Sequence, residues 1–365
     1  MRAALMLGQA GELEVDEVTI DKPGPREVLI RTVGSGLCHS DLHFIDMPAA
    51  LAGMGGSPAL LGHEAAGVVE LVGEDVTYVR PGDHVITFPV QFCGECEYCL
   101  RGRPTLCRQS PGARPADATP RLRYKGKPVS QFVNLGGFAE QMLVHEHAVV
   151  KIDQDYPLDR AAIIGCGVAT GLGAVLNTAQ VSPGSSVAVI GIGGVGLSAL
   201  QGAVVAGARQ IIAVDTEPAK FELARTLGAT DTVDASSTDV VAAVRELSSG
   251  GVDYSFEAIG VKAAMEQSLQ MLRPAGVATL VGVAMGQTLE IDPSVFMSET
   301  RLQGCIMGSS RFRTDLPHYI ELDMLGRIDV AATIEGHIEL GEINAGYEAM
   351  RQRSINGRRV IMFPT

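Results

Sequence analysis

Apolar residues fall into two textures along this chain. Residues 161–208 carry no charge at all, and a window such as 187–207 is long enough to cross a membrane. Pro183 and closely spaced glycines break the stretch, however, so it reads as separate buried elements. Ser186-Val187-Ala188-Val189-Ile190 is apolar at successive positions, the mark of a parallel strand buried on both faces. A glycine turn and then a helix over about 195–206 follow it. Gln210-Ile211-Ile212-Ala213-Val214, then 252–257 and 276–282, continue a strand–helix alternation. The amino-terminal region differs. Short strands such as 27–33, punctuated by Pro23-Gly24-Pro25 and Pro81-Gly82-Asp83, predict a compact β domain, with a Pro- and Ala-rich loop at 111–120.

At 365 residues, 46% apolar and 19% charged, the chain has a globular balance and room for two domains. A formal net charge of −13 argues against nucleic acid, which needs a positive footprint. The apolar start Met1-Arg2-Ala3-Ala4-Leu5-Met6-Leu7 is too short for a secretory leader and runs into Gly8 and Glu12, so the expectation is a cytoplasmic protein with reduced thiols and no membrane partner.

Those thiols are the first chemistry. Cys93-Gly-Glu-Cys96-Glu-Tyr-Cys99 is followed, after seven intervening residues, by Cys107. Four sulfurs so close suit one tetrahedral zinc with no open position, a site that adds folding free energy. The alternatives are disulfides, which conflict with a reducing compartment, and an iron–sulfur cluster, whose usual ferredoxin spacing differs.

The second is Gly191-Ile192-Gly193-Gly194-Val195-Gly196. The motif G-x-G-x-x-G is weak alone, but here a strand precedes it, a helix follows, and the next strand ends in Asp215. In that setting Gly191 makes the turn, Gly193 and Gly194 admit pyrophosphate to the helix N-terminus, Gly196 permits tight packing, and Asp215 takes the ribose diol. An acid there disfavours a 2′-phosphate, so NAD is expected over NADP. Lys220 reads equally as a ribose contact or as an exposed helix charge.

Together with Gly36-Leu37-Cys38-His39-Ser40-Asp41, Gly62-His63-Glu64-Ala65-Ala66-Gly67 and Gly165-Cys166-Gly167-Val168-Ala169-Thr170-Gly171, in this order, these motifs resemble the zinc-dependent medium-chain alcohol dehydrogenases over nearly the whole chain. The resemblance implies an α/β fold in which a GroES-like β-rich catalytic domain (1–167 plus 307–365, with the cysteine lobe at about 92–108) is interrupted by a Rossmann domain (168–306). It implies a second, catalytic zinc on Cys38, His63 and Cys166, with Asp41 orienting His63 and Glu64 behind the metal. It implies reversible oxidation of an alcohol to an aldehyde or ketone by hydride transfer to NAD through a zinc-bound alkoxide. Ser40 then takes the proton first and passes it through the cofactor ribose to His43. His39, Thr170, Val195, Val283 and Arg359 are implied cofactor contacts, with Arg359 on the pyrophosphate. Cys305 reads as core. Ser40, Phe88, Pro89, Leu135 and Met285 are placed as pocket walls by analogy.

Two departures matter. His39 stands where many animal members have an arginine, which implies looser cofactor binding. Pro111 stands where glutathione-dependent formaldehyde dehydrogenases carry an arginine, although Arg114 is nearby. Loop 109–134 resembles that of the dimeric members, so a homodimer is expected, with a tetramer as the alternative. The competing readings are a glutathione-dependent formaldehyde dehydrogenase, a nicotinoprotein alcohol dehydrogenase, and, remotely, a non-catalytic binding protein on the same scaffold.

Overall fold

The computed structural model describes residues 1–8, 10–49, 56–109, 111–115, 117–284 and 286–364. Two compact units emerge, one from Met1–Cys166, Arg311–Glu321 and Ile334–Thr365, the other from Gly167–Ser310 and Leu322–Thr333.

In the first unit the strand Glu27–Gly36 is buried along almost its whole length, because strands pair with it on both edges, an apolar core takes Val28 and Ile30, and the helix Leu158–Ile163 packs against Gly34 and Gly36. It pairs antiparallel with Glu64–Val72, with Gln141–His145 and with Arg358–Met362. Its register sets Gly36 opposite Glu64. One end of this strand therefore gathers three segments that carry polar side chains: the residues after Gly36, the start of Glu64–Val72, and Arg358. A smaller sheet of Ser130–Gln131, Ala59–Leu60, Arg2–Met6 and Glu14–Glu17 closes the other side of one core.

The second unit is a six-stranded parallel sheet. Numbered in chain order as Ser186–Ile190, Gln210–Asp215, Asp231–Asp234, Val252–Glu257, Leu272–Leu280 and Arg301–Gly304, the strands lie 3-2-1-4-5-6. That is the doubly wound order, whose ligands bind beyond the carboxyl ends of strands 1 and 4. Ser186–Ile190 is fully buried, as its unbroken apolar run requires. The helix after the glycine turn runs Gly194–Val205.

The sequence pattern gave no sign of a long helix at 158–179. Leu158–Ala179 is one helical run of 22 residues, interrupted by π-helical turns at Ile164–Val168 and Ala174–Ala179. It is long and apolar enough to cross a membrane, but 83% of its apolar window is buried, as in a core helix. The window 187–207 considered above is instead the strand and helix around the glycine turn.

Candidate metal centres and dinucleotide turn

Cys38 follows the strand Glu27–Gly36 in extended conformation and caps the helix His39–Asp46. Glu64 opens the neighbouring strand with His63 just before it, and Cys166 comes from the π-helical turn Ile164–Val168, which widens the helix locally. One sulfur each from Cys38 and Cys166, a ring nitrogen of His63 and a carboxylate oxygen of Glu64 all lie within 4.8 Å of one another, and all four residues are buried. Gly36 makes room for this, since a Cβ there would stand 2.5 Å from Glu64 Oε2 and 2.9 Å from Ile163 Cγ2.

A buried carboxylate backs His63. Its Nδ1 lies 3.0 Å from Asp41 Oδ2, while Asp41 Oδ1 accepts a 2.9 Å hydrogen bond from the Gly62 N–H. The other nitrogen is thereby turned to Cys38, the arrangement by which carboxylates orient metal-binding imidazoles. Glu64 has Arg358 Nη2 at 3.1 Å, yet neither of its oxygens has a well-aligned hydrogen-bond partner. Arg358 also donates to the Leu37 carbonyl at 3.1 Å.

Buried charges this close move one another. Burial pushes the Glu64 carboxyl up to about 8 despite Arg358. Sharing a proton with Cys166 and facing Arg358 and His63, the Cys38 thiol is driven well below its ordinary value, and Cys166 is driven up in turn. Burial would lower His63, but Asp41 and Cys38 outweigh it and raise the imidazole. Two soft thiols, an imidazole and an under-satisfied carboxylate fit a borderline-soft divalent cation. Glu64 thus stands among the donors beside the three expected ligands.

The cysteine lobe fits a metal on distances alone. Zn–S bonds of about 2.3 Å at tetrahedral angles set sulfurs roughly 3.8 Å apart. Here the separations are 3.8 Å for Cys93 and Cys99, 3.5 Å for Cys96 and Cys99, and 3.9 Å for Cys96 and Cys107. Backbone N–H groups of Glu95 and Cys96 point at Cys93 Sγ, and that of Cys93 at Cys107 Sγ. Such donors favour thiolates, and Cys96 falls to about 6, led by the Cys99 N–H, while burial lifts Cys99 to about 12. All seven cysteines of the chain are free of disulfides.

In the parallel-sheet unit, Gly191 has a left-handed φ of +91° and Gly193 caps the helix. A Cβ at Gly196 would lie 1.8 Å from the Gly191 carbonyl oxygen, so only glycine closes the turn, whereas at Gly193 it would meet nothing within 4 Å. That open face, above a helix N-terminus, fits a pyrophosphate. Asp215 ends the second strand and is buried; it accepts from the N–H of Ile192 at 2.7 Å and of Glu217 at 3.0 Å. Lys220, rather than lying free on a helix, has its Nζ 3.2 Å from both Asp215 oxygens.

These site features match known proteins. Residues 24–154 match the alcohol dehydrogenase GroES-like domain, and residues 194–322 match the zinc-binding dehydrogenase family. The chain belongs to the zinc-dependent medium-chain alcohol dehydrogenase family. Among relatives of this dehydrogenase, the S-(hydroxymethyl)glutathione dehydrogenase of Photobacterium damsela subsp. piscicida is 39% identical over 360 residues, 96% of each chain. The crystal structure of an alcohol dehydrogenase zinc-binding domain protein from Burkholderia ambifaria has a TM-score of 0.93 at 34% identity, covering 100% of this chain and 99% of that one. Benzyl alcohol dehydrogenase from Acinetobacter calcoaceticus gives 0.92 at 31%, with the same coverage.

Other predicted positions of the dehydrogenase scatter more widely. Ser40 and His43 are half-buried and lie three residues apart on the helix His39–Asp46, hence on one face; His39 is exposed. Thr170 is buried and reaches Met307 Sδ at 3.8 Å, Val195 is half-buried at the helix start, and Val283 is exposed. Phe88 stacks on Phe312 at 4.1 Å and Leu135 is buried, whereas Met285 lies outside the described residues. Cys305 is half-buried beside Thr178. The buried arginine at the metal cluster is Arg358, which sequence reasoning missed. Arg359 points away, with Nη2 4.0 Å from Glu335. Two consecutive arginines on a strand face opposite sides, and the sequence carries no signal for which one faces in.

Proposed function

We propose that this dehydrogenase oxidises a small alcohol to the carbonyl compound, delivering hydride to NAD and releasing one proton. The observation that carries the proposal is the buried Cys38–His63–Glu64–Cys166 donor set with the Asp41 carboxylate 3.0 Å behind His63. These residues hold one zinc and the Cys93, Cys96, Cys99, Cys107 lobe a second. Zinc in the buried set supplies Lewis-acid polarisation of the substrate oxygen.

The chain supplies the rest. Asp41 fixes the His63 tautomer, and Arg358 balances Glu64 so that the donor set does not accumulate unpaired negative charge. Ser40 accepts the proton leaving the substrate hydroxyl and His43, on the same helix face, hands it to water, a transfer that imidazoles commonly perform. The turn at Gly191, Gly193, Gly194, Val195 and Gly196 holds the pyrophosphate. Asp215, whose carboxylate already fronts the turn through Ile192, receives the ribose diol and repels a 2′-phosphate.

A second reading, oxidation of S-(hydroxymethyl)glutathione, draws on the relatives of that name. Against it stands Arg114, the cation beside Pro111 that the sequence left open to a glutathione carboxylate. Its guanidinium is consumed internally: it contacts Glu27 through Nε and Nη2, Asp21 Oδ2 at 2.7 Å, and the carbonyls of Thr119 and Lys22. This favours an unmodified alcohol. A panel of primary, secondary and aromatic alcohols beside S-(hydroxymethyl)glutathione, each assayed with NAD, separates the two. A kcat/KM highest for an alcohol supports the proposal, and one highest for the glutathione adduct sinks it.

A further inference from the structure

Glu257 ends the fourth strand of the parallel sheet, directly beside Ile190, the residue that leads into the glycine turn. It is completely buried. Its Oε1 accepts two backbone hydrogen bonds, from Ile259 at 2.8 Å and Gly260 at 2.7 Å, and so folds residues 257–260 into a tight turn. Its Oε2 has no well-aligned hydrogen-bond partner, with the Gly282 and Val261 N–H groups nearby, and a Cβ on Gly282 would lie only 2.7 Å from it. Burial pushes this carboxyl up despite the backbone donors. An apolar residue would fill the same space without a poorly satisfied oxygen, so the acid's use lies in what Oε1 holds.

What it holds reaches both sides of the nucleotide position. Ile259 packs over the first glycine: a Cβ on Gly191 would be 2.4 Å from Ile259 Cγ1. Gly260 packs on the backbone of Val283, where a Cβ would be 2.4 Å from the carbonyl oxygen. The strand hydrogen bonds Ala258 N–H to Ile190 carbonyl, 2.9 Å, and Val281 N–H to Glu257 carbonyl, 2.8 Å, complete the bracket. One carboxylate oxygen thus sets the spacing between Gly191 and Val283 at the crossover point of the sheet, where doubly wound folds bind their ligands.

We propose that Glu257 is a positioning residue for the dinucleotide, holding the 257–260 turn as the spacer between the glycine turn and Val283. The inference rests on reading the glycine turn as a dinucleotide site. Its test is fluorescence titration of NADH onto the purified zinc-loaded enzyme and its Glu257→Ala, Glu257→Asp and Glu257→Gln variants. Alanine removes the acceptor and aspartate withdraws it by one methylene, so each should weaken NADH by roughly tenfold or more, since misplacing a binding group by about 1 Å can cost 10²-fold. Glutamine keeps an acceptor oxygen in place and should restore binding. KM for alcohol and the zinc content should not move. If the alanine variant does not fold, the aspartate variant decides. Wild-type affinity in the aspartate or alanine variant overturns the inference, as does a glutamine variant as weak as alanine. A wild-type enzyme that binds no NADH overturns the nucleotide reading beneath it.

Discussion

Replacing Arg114 by alanine tests whether this arginine is a structural clamp. Its guanidinium is mostly buried and holds together Glu27, Asp21 and two carbonyls of neighbouring loops. Hydrogen bonds to charged groups contribute about 1.5–3 kcal/mol each, and stranding a buried charge costs about 3–5 kcal/mol. Glu27 is not stranded by the change, because Arg121 Nε at 2.7 Å and the Gly24 N–H at 2.8 Å remain. The expected loss is therefore about 2–3 kcal/mol. For a unit of this size that lowers Tm by about 5–10 °C. The pH dependence has a definite sign. Burial alone would raise Glu27, but Arg114 and Arg121 bring it down to about 2 from an ordinary 4.5. A depressed carboxyl contributes stability that is fully present above its unfolded value and is lost as pH falls toward 2. The gap between wild type and Arg114→Ala should thus be widest above about pH 5, narrow below it and close toward pH 2. Thermal melts across pH measure it, beside turnover of alcohol, which should be unchanged. Equal melting at pH 7, a gap that widens in acid, or normal melting with selective loss of S-(hydroxymethyl)glutathione turnover would each refute the reasoning.

Gly196→Ala places a methyl group 1.8 Å from the Gly191 oxygen and should weaken NADH on the order of 10²-fold with both zinc ions retained, whereas an unchanged Kd by titration would show that the turn does not hold the cofactor. Asp215→Gly should raise kcat/KM for NADP more than it alters that for NAD, and comparable wild-type values for the two cofactors would count against the ribose assignment. Ser40→Ala should nearly abolish single-turnover NADH formation, while His43→Gln should slow it by about 10²-fold or less with an altered pH profile. An unchanged profile in His43→Gln removes that residue from the proton path.

What the sequence made legible was whatever chemistry is written in short, contiguous motifs. The glycine turn, the cysteine lobe and four of the parallel strands follow from local spacing and from buried runs without alternation, whereas the short strands Asp231–Asp234 and Arg301–Gly304 left no such mark. Less legible were features that depend on facing or on distance along the chain. Arg358 and Arg359 differ only in which side of one strand they occupy. Arg114 looked available because its partners Glu27 and Asp21 lie about ninety residues away, 87 and 93 positions respectively. The π-helical turn that carries Cys166 left no mark in the pattern, since an extra residue per turn does not alter composition. Glu257 read as the polar end of a strand, and only its hydrogen bonds to Ile259 and Gly260 give it a role.

The proposed chemistry needs two zinc ions, one in the closed cysteine lobe and one at the reacting centre. Elemental analysis of pure protein, wild type beside Cys166→Ala, tests it most directly. About two zinc per chain are expected in the wild type, and about one in the variant, with activity lost and the melting transition of the fold preserved. A wild type with one zinc at full turnover, or a Cys166→Ala variant that keeps both zinc ions and its activity, would contradict it.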